Sequence, residues 1–98
     1  MAVIRYAPRA LLDLERLSDF LAQSDSGAAG RTVELIVTAV GILGQHPLIG
    51  RAAEAGLREL VISRGKSGYL ALYRYAEERN RVLVLSIRHQ REAGYIGQ

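Results

Sequence analysis

Hydrophobic residues recur with a helical period in the first half of the chain and alternate along strands in the second half. After a short apolar strand at 3–6, Pro8 suits the first turn of a helix, where its missing N–H is not needed. In the predicted helix at 9–23, one apolar face carries Ala10, Leu14, Leu17 and Leu21, with Leu11 and Phe20 at its flanks. The acidic residues of this helix are expected to face solvent: Asp13, Glu15 and Asp19.

A second helical pattern covers 28–45, and the polar turn SDSG at 24–27 separates it from the first. Its apolar stripe consists of Val33, Ile36, Val37, Val40, Leu43 and Gly44. Pro47 ends this helix, because a proline ring clashes with the preceding helical turn. Two helices joined by a tight turn form an αα-hairpin.

Three strands are predicted after a loop at 46–56, and they lie at 57–64, 69–76 and 81–89. The turns between them are RGKSG and EERN. In the middle strand, one face carries Tyr69, Ala71, Tyr73 and Tyr75. In the last strand, simple alternation places Leu83, Leu85 and Ile87 on one face and Val82, Val84, Ser86 and Arg88 on the other. Three consecutive strands with short turns favour an antiparallel meander.

The resulting order β-α-α-β-β-β predicts a single domain over 1–98 of the α+β class. We expect two layers, with the helical hairpin packed on a small antiparallel sheet. The other face of the sheet is expected to carry Tyr and Arg side chains and to remain partly open.

Composition supports one hydrophobic core and excludes several kinds of chemistry. Of the 98 residues, 49% are hydrophobic, which excludes a disordered chain. The chain has no cysteine, which excludes disulfides, thiolate nucleophiles and thiolate zinc sites. We expect no apolar segment long enough to span a bilayer, and the N-terminus is too quickly polar for a signal peptide. A cytoplasmic protein without a membrane partner is therefore expected.

Positive charge is concentrated in the second half of the chain. Residues 1–56 carry five Lys/Arg against six Asp/Glu, whereas residues 57–98 carry eight against four. A basic half of this kind favours an acidic partner, either a nucleic acid or an acidic protein surface.

Four segments, in this order, resemble the ParE/RelE superfamily of toxins from type II toxin–antitoxin systems, also known as plasmid stabilisation proteins. They are QHPLIGR, LRELVI, SGYLALYRY and RVLVLSIRHQREAGY. The resemblance covers nearly the whole chain and implies a growth-regulating toxin that a cognate antitoxin neutralises. ParE-like members block DNA gyrase, whereas RelE-like members cleave mRNA on the ribosome. Neither activity implies a metal or another cofactor.

A RelE-like endoribonuclease would need a group that activates the 2′-OH, cations that stabilise the phosphorane and a proton source. The resemblance offers His89, Arg91 and Tyr95 for catalysis. Candidate cations for binding the target are Arg58, Arg64, Lys66, Arg74 and Arg88. Ordinary structural roles compete with these. His89 at a strand end is typical of a hydrogen-bonding residue, and strand tyrosines more often pack than stack on bases.

The ParE-like activity is favoured because Leu70 stands where RelE-like enzymes carry an arginine after the Gly-Tyr pair. The lysine run that those enzymes place before this strand is missing, and the helical hairpin is long. We therefore expect a gyrase-blocking toxin, with a ribosome-dependent endoribonuclease as the alternative. An inactive family member and a basic nucleic-acid-binding module are the remaining hypotheses.

Overall fold

The computed structural model describes residues 1–63 and 68–96. Its helices are α1 (Pro8–Ala22) and α2 (Ser26–Gly41), and its strands are β1 (Val3–Tyr6), β2 (Arg51–Ala52), β3 (Arg58–Ile62), β4 (Tyr69–Ala76) and β5 (Arg81–His89). Short 3₁₀ turns occupy Ile42–Gly44, Glu54–Gly56 and Glu77–Arg79. The bounds predicted for β4 and β5 are confirmed. The predicted loop at 46–56 also contains β2 and a 3₁₀ turn, and most of the RGKSG turn lies outside the described residues.

Local chemistry sets the ends of the hairpin helices. Pro8 occupies the first turn of α1, as expected from the sequence. Asp25 caps α2, because its Oδ1 accepts hydrogen bonds from the backbone N–H groups of Gly27 at 2.9 Å and Ala28 at 3.2 Å. The Asp25 side chain therefore fixes the start of α2.

The two helices pack on a sheet with the strand order β1-β5-β4-β3-β2. This confirms the predicted α+β class and the order of elements. The sheet is mixed rather than wholly antiparallel, since β1 pairs with β5 in parallel and the other neighbours are antiparallel. The first strand thus lies beside the last one, and the hairpin crosses one face of the sheet from β1 at one edge to β2 at the other.

The core lies between the hairpin and the sheet. Tyr69 and Tyr73 are only 4% and 0% exposed there, alongside Ile36 and Val40 of α2. The expectation that tyrosines occupy the open face was wrong for these two residues. Their large rings provide the apolar surface that the helices cover, while Leu70 and Leu72 of β4 point to the opposite face.

A β-bulge changes the alternation along β5. Leu72 pairs with Ser86, but the next residue, Tyr73, pairs with Val84, so that Leu85 has no partner of its own. Ile87 is consequently buried with Val84 in the core, rather than sharing a face with Leu85 as simple alternation predicted.

Two predictions for the helices also need correction. Asp13 is fully buried instead of facing solvent, and Val37 is 44% exposed instead of belonging to the buried stripe of α2. The segment Ser26–Gly44 has the length and apolar composition of a membrane span, contrary to expectation. A core helix meets the same criterion, and Ile36 and Val40 on its inner side do pack against the sheet.

Candidate functional site

A groove of about 500 Å³ lies where the end of α1 faces the adjoining ends of β4 and β5. Its apolar wall consists of Leu17, Phe20, Leu21 and Tyr69, and its polar wall of Arg16, His89, Arg91 and Glu92. Phe20 is 70% exposed, which is unusual for a large aromatic side chain at a groove rim. We call this feature the α1–β5 groove.

A chain of charged side chains holds the polar wall in place. The Arg16 guanidinium donates from Nη1 to Glu92 at 2.7 Å and from Nη2 to Asp13 at 3.4 Å. Glu92 in turn accepts a hydrogen bond from the backbone N–H of His89 at 2.8 Å. Arg16 therefore links α1 to the segment that follows β5.

Asp13 and Arg16 also bind the edge of β5. Asp13 Oδ2 accepts hydrogen bonds from the Ile87 N–H at 2.8 Å and the Ser86 hydroxyl at 2.7 Å, and Arg16 donates to the Ile87 carbonyl at 3.4 Å. The parallel pairing of β1 with β5 reaches only as far as Val84. Side chains of α1 thus satisfy backbone groups of β5 beyond the end of β1.

His89 and Arg91 are brought together at the groove. The His89 ring packs edge-on against Tyr69, with ring centroids 5.1 Å apart. Its Nδ1 accepts a hydrogen bond from the Arg91 N–H at 3.1 Å, which in the neutral imidazole places the proton on Nε2. His89 can therefore present one N–H donor beside an exposed arginine.

Tyr95, the third predicted catalytic residue, lies on the other face of the sheet. Its ring is 5.1 Å from the guanidinium carbon of Arg88, and its hydroxyl donates to Glu59 at 2.6 Å. Consecutive strand residues point to opposite faces, so Arg88 and His89 project in opposite directions. The structure does not bring Tyr95 beside His89.

The contact between Tyr95 and Glu59 shifts both pKa values. Burial and the hydrogen bond to the Glu59 carboxylate raise the pKa of Tyr95 well above 10. Burial raises the pKa of Glu59, but the bonds from Tyr95 and Arg51 and the charges of Arg51 and Arg88 outweigh it, so that this pKa is lowered overall. Tyr95 is a neutral phenol and Glu59 a carboxylate at physiological pH.

The other predicted binding cations are dispersed. Arg58 donates to the carbonyls of Leu48 and Gly50 at 3.2 and 2.9 Å, which is a structural role. Arg88 donates to the Glu92 carbonyl at 2.6 Å, and Arg74 is exposed on β4. The remaining two candidates, Arg64 and Lys66, lie outside the described residues.

The segment QHPLIGR is fixed by the same sheet. The Tyr73 hydroxyl donates to the Pro47 carbonyl at 2.8 Å and accepts from the Gly50 N–H at 2.9 Å. A side chain at position 50 would approach that hydroxyl to 2.6 Å and the Glu59 carbonyl to 3.0 Å, so only glycine fits. Arg51 then pairs with Glu59 across β2 and β3, at 2.8 Å from its Nε.

Asp13, Arg16 and Glu92 were not among the site residues predicted from the sequence. A signal for Asp13 was present, since it lies three residues after Ala10 and four before Leu17, at the margin of the apolar face of α1. Glu92 carried no comparable signal, because the tail after β5 has no periodic pattern. Within residues 1–63 and 68–96, no group of three or more His, Asp or Glu side chains is placed to hold a metal ion.

Comparison with known proteins gives consistent matches over most of the chain. A family model, described as the ParE toxin of the type II toxin–antitoxin system parDE, matches residues 4–94. The toxin RelE3 of Caulobacter vibrioides is 35% identical over 92 residues, which make up 94% of this chain and 98% of that relative.

Two solved structures with this fold come from toxin–antitoxin systems. A chain of the chromosomal ParDE system from P. aeruginosa has a TM-score of 0.77 and 25% identity, covering 91% of this chain and 96% of that one. A chain of the toxin–antitoxin complex RelBE2 from Mycobacterium tuberculosis has a TM-score of 0.59 and 28% identity, covering 91% and 98%.

Proposed function

Because this chain belongs to the ParE toxin family of type II toxin–antitoxin systems, we propose that it stops growth by binding DNA gyrase in the cytoplasm. In this proposal no side chain of the toxin takes part in bond cleavage. The toxin acts as a protein ligand of its target, and the cognate antitoxin prevents that contact.

The separation of His89 from Tyr95 is the observation that carries this proposal. General acid–base cleavage needs both groups within hydrogen-bond reach of one substrate. Here His89 borders the α1–β5 groove, whereas the Tyr95 hydroxyl is bonded to Glu59 on the opposite face. The raised pKa of Tyr95 also makes it a poor base at neutral pH.

Leu70 supports the same proposal. It follows the Gly-Tyr pair, at the position where RelE-like enzymes carry an arginine, and it is 6% exposed in this chain. An apolar side chain there supplies no charge to a phosphorane. Loss of one such stabilising group costs on the order of 3 kcal/mol in other enzymes.

A RelE-like endoribonuclease is the second candidate, because RelE3 of C. vibrioides is a relative over nearly its whole length. The pairing of His89 with Arg91 at one groove also favours it. The target is then the ribosome with its mRNA, and no metal or cofactor is called for.

We further propose that the cognate antitoxin covers the α1–β5 groove. Both structural neighbours described above belong to systems in which a toxin is paired with an antitoxin. The groove combines the exposed ring of Phe20 with apolar and charged walls, a combination that suits a buried anchor and a polar rim.

Induction of the chain in a bacterial host, with pulse-labelling of DNA and protein synthesis, tests the gyrase proposal. We expect DNA synthesis to stop first, and the purified chain to inhibit supercoiling by gyrase. His89→Gln should leave that inhibition nearly unchanged, since a binder needs no general base. An enzyme that depended on His89 would lose about 10²- to 10⁴-fold in activity.

The opposite order would overturn the proposal. If protein synthesis stops first, transcripts are cut within codons and His89→Gln abolishes the effect, the chain is an endoribonuclease. Equal expression and equal circular dichroism spectra of the wild type and His89→Gln would exclude a folding defect of the variant. If neither DNA synthesis nor protein synthesis stops after induction, the chain is an inactive family member.

A further inference from the structure

The outer face of the sheet, which points away from the helices, has two electrostatically different ends. At one end Glu59 neutralises Arg51, and Arg88 is covered by Tyr95 and the tail. At the other end lie Arg5, Arg74 and Arg81, which we call the arginine triangle. Of these three, only Arg74 was predicted from the sequence as a binding residue.

The strand register places the three arginines together. Arg5 of β1 and Arg74 of β4 both pair with Leu83 of β5, one from each side. Arg81 lies two residues before Leu83 and therefore shares its face. The opposite, helix-facing side of these strands is occupied by core residues such as Val82 and Val84.

All three guanidinium groups are available. Arg5, Arg74 and Arg81 are each exposed. None of the ion pairs found within residues 1–63 and 68–96 involves any of them. Their charge is therefore not compensated by a neighbouring carboxylate, in contrast to Arg16 and Arg51.

The spacing of the three arginines suits a ligand that carries a row of anionic groups. Strands lie about 4.8 Å apart and residues of one face about 6.7 Å apart along a strand, so the three Cα atoms fall within about 10 Å of one another. A duplex presents one phosphate about every 3.4 Å along each strand, so several phosphates lie within that span. Arginine is also suited to phosphate, because its planar fork binds two oxygens at once.

We propose that the arginine triangle binds the phosphate backbone of duplex nucleic acid. Leu83 at its centre is a half-buried aliphatic side chain, so the triangle itself contains no aromatic anchor of the kind that protein interfaces favour. If the proposed function holds, on which this step rests, the duplex is the DNA bound to gyrase. The toxin then contacts both the enzyme and its substrate.

Fluorescence anisotropy with a labelled DNA duplex and the purified chain tests this without gyrase. Three neutralised phosphates predict a salt slope of about −2.7 on a log–log plot, and an affinity loss of about 40-fold between about 50 and 200 mM salt. The double variant Arg5→Gln with Arg74→Gln should reduce the slope by about 2. Arg5→Lys with Arg74→Lys keeps the charge and should keep most of the slope.

The matched control is Arg9→Gln with Arg31→Gln, which removes the same charge from the helical layer. We expect it to leave the slope nearly unchanged. Equal losses in both glutamine variants would overturn the proposal, because binding would then depend on net charge alone. Absence of duplex binding at about 50 mM salt would also overturn it.

A second arm uses an RNA duplex of the same length. Binding to DNA at least as tight as to RNA supports the link to gyrase, whereas binding to RNA alone overturns that assignment and points to the ribosome. Supercoiling inhibition is measured separately. A triangle variant that loses DNA binding but still inhibits gyrase supports the triangle as the DNA site and overturns only its role at gyrase. A wild type that binds DNA but does not inhibit gyrase overturns only the proposed function.

Discussion

Asp13 is a carboxylate in the core, and its surroundings explain why it can remain there. It is fully buried, and it receives hydrogen bonds from the Ile87 N–H and the Ser86 hydroxyl and a longer one from Arg16. Burial of a charge is tolerated when it is paired and hydrogen-bonded. Asp13 thereby connects the middle of α1 to the bulged part of β5.

Replacement of Asp13 by alanine should therefore be costly. Asp13→Ala leaves the Ile87 N–H and the Ser86 hydroxyl without their acceptor and removes one of the two carboxylates that pair with Arg16. We expect a loss of about 3 kcal/mol in the free energy of unfolding. Ser86→Ala removes a single donor and should cost about 1 kcal/mol. Urea unfolding followed by circular dichroism measures both values.

Glu15→Ala is the control on the solvent side of α1, where a change should stay within about 0.5 kcal/mol. If Asp13→Ala were as mild as this control, the hydrogen bonds of Asp13 would contribute little net stability. The assignment of Asp13 as the link between α1 and β5 would then be wrong.

At the scale of elements, the tail after β5 is tied to β3 across the outer face of the sheet. Tyr95 reaches Glu59 of β3, and Arg88 of β5 lies over the Tyr95 ring. Arg51 of β2 binds the same carboxylate. Glu59 thus connects β2, β3 and the tail, and the hydrogen bonds that it accepts favour its charged form.

The lowered pKa of Glu59 gives this connection a pH dependence. Its contribution to stability is present above the usual glutamate pKa of about 4.3 and is lost as the pH falls through the lowered value in the folded chain. Tyr95→Phe removes one donor, so the pKa of Glu59 should rise. The variant should lose about 1 kcal/mol at neutral pH and progressively less in acid.

Urea unfolding at a series of pH values tests this. In a Glu59→Gln background no carboxylate titrates at position 59, so the effect of Tyr95→Phe on the free energy of unfolding should not change between neutral and acid pH. In the native background, the difference in the free energy of unfolding between Tyr95→Phe and wild type should depend on pH. A constant difference would contradict the proposed coupling between Tyr95 and the ionisation of Glu59.

At the scale of the whole molecule, two surfaces carry the proposed interactions. The α1–β5 groove is apolar with a charged wall, whereas the arginine triangle is flat, cationic and on the opposite face. Because they lie on opposite sides of the sheet, a ligand at one surface does not have to displace a ligand at the other. Variants of the groove should therefore affect antitoxin binding without affecting nucleic-acid binding, and variants of the triangle should do the reverse.

If the antitoxin covers the α1–β5 groove, its binding should depend more on Phe20 than on exposed apolar residues elsewhere on the surface. Phe20→Ser should weaken binding of the cognate antitoxin by about 30-fold, or about 2 kcal/mol, if the ring is an anchor. Titration calorimetry with the purified antitoxin measures this change. The unfolding free energy should alter little, since the ring is mostly exposed.

Leu35→Ser on α2 is the matched control, because Leu35 is also an exposed apolar residue of the hairpin, at 45% exposure. It should leave antitoxin affinity nearly unchanged. Equal weakening by the two variants would show that the antitoxin covers the hairpin broadly and not the groove in particular.

The sequence by itself determined the class of the fold and most of its elements. Local rules were sufficient for α1, β4 and β5, because proline position, helical period and strand alternation act over a few residues. The family was also evident from short segments such as QHPLIGR and SGYLALYRY, whose contacts through Tyr73, Gly50 and Arg51 the structure explains.

Tertiary structure alone decided the burial of Asp13, the bulge at Leu85 and the separation of His89 from Tyr95. Each of these depends on contacts between residues distant in the chain: Asp13 meets Ile87, and Tyr95 meets Glu59. It also decided that Arg5 of the first strand pairs with Leu83 of the last, on the face that carries Arg81. Sequence periodicity describes which residues share a face of one element, but only packing decides which elements meet and which charges they leave uncompensated.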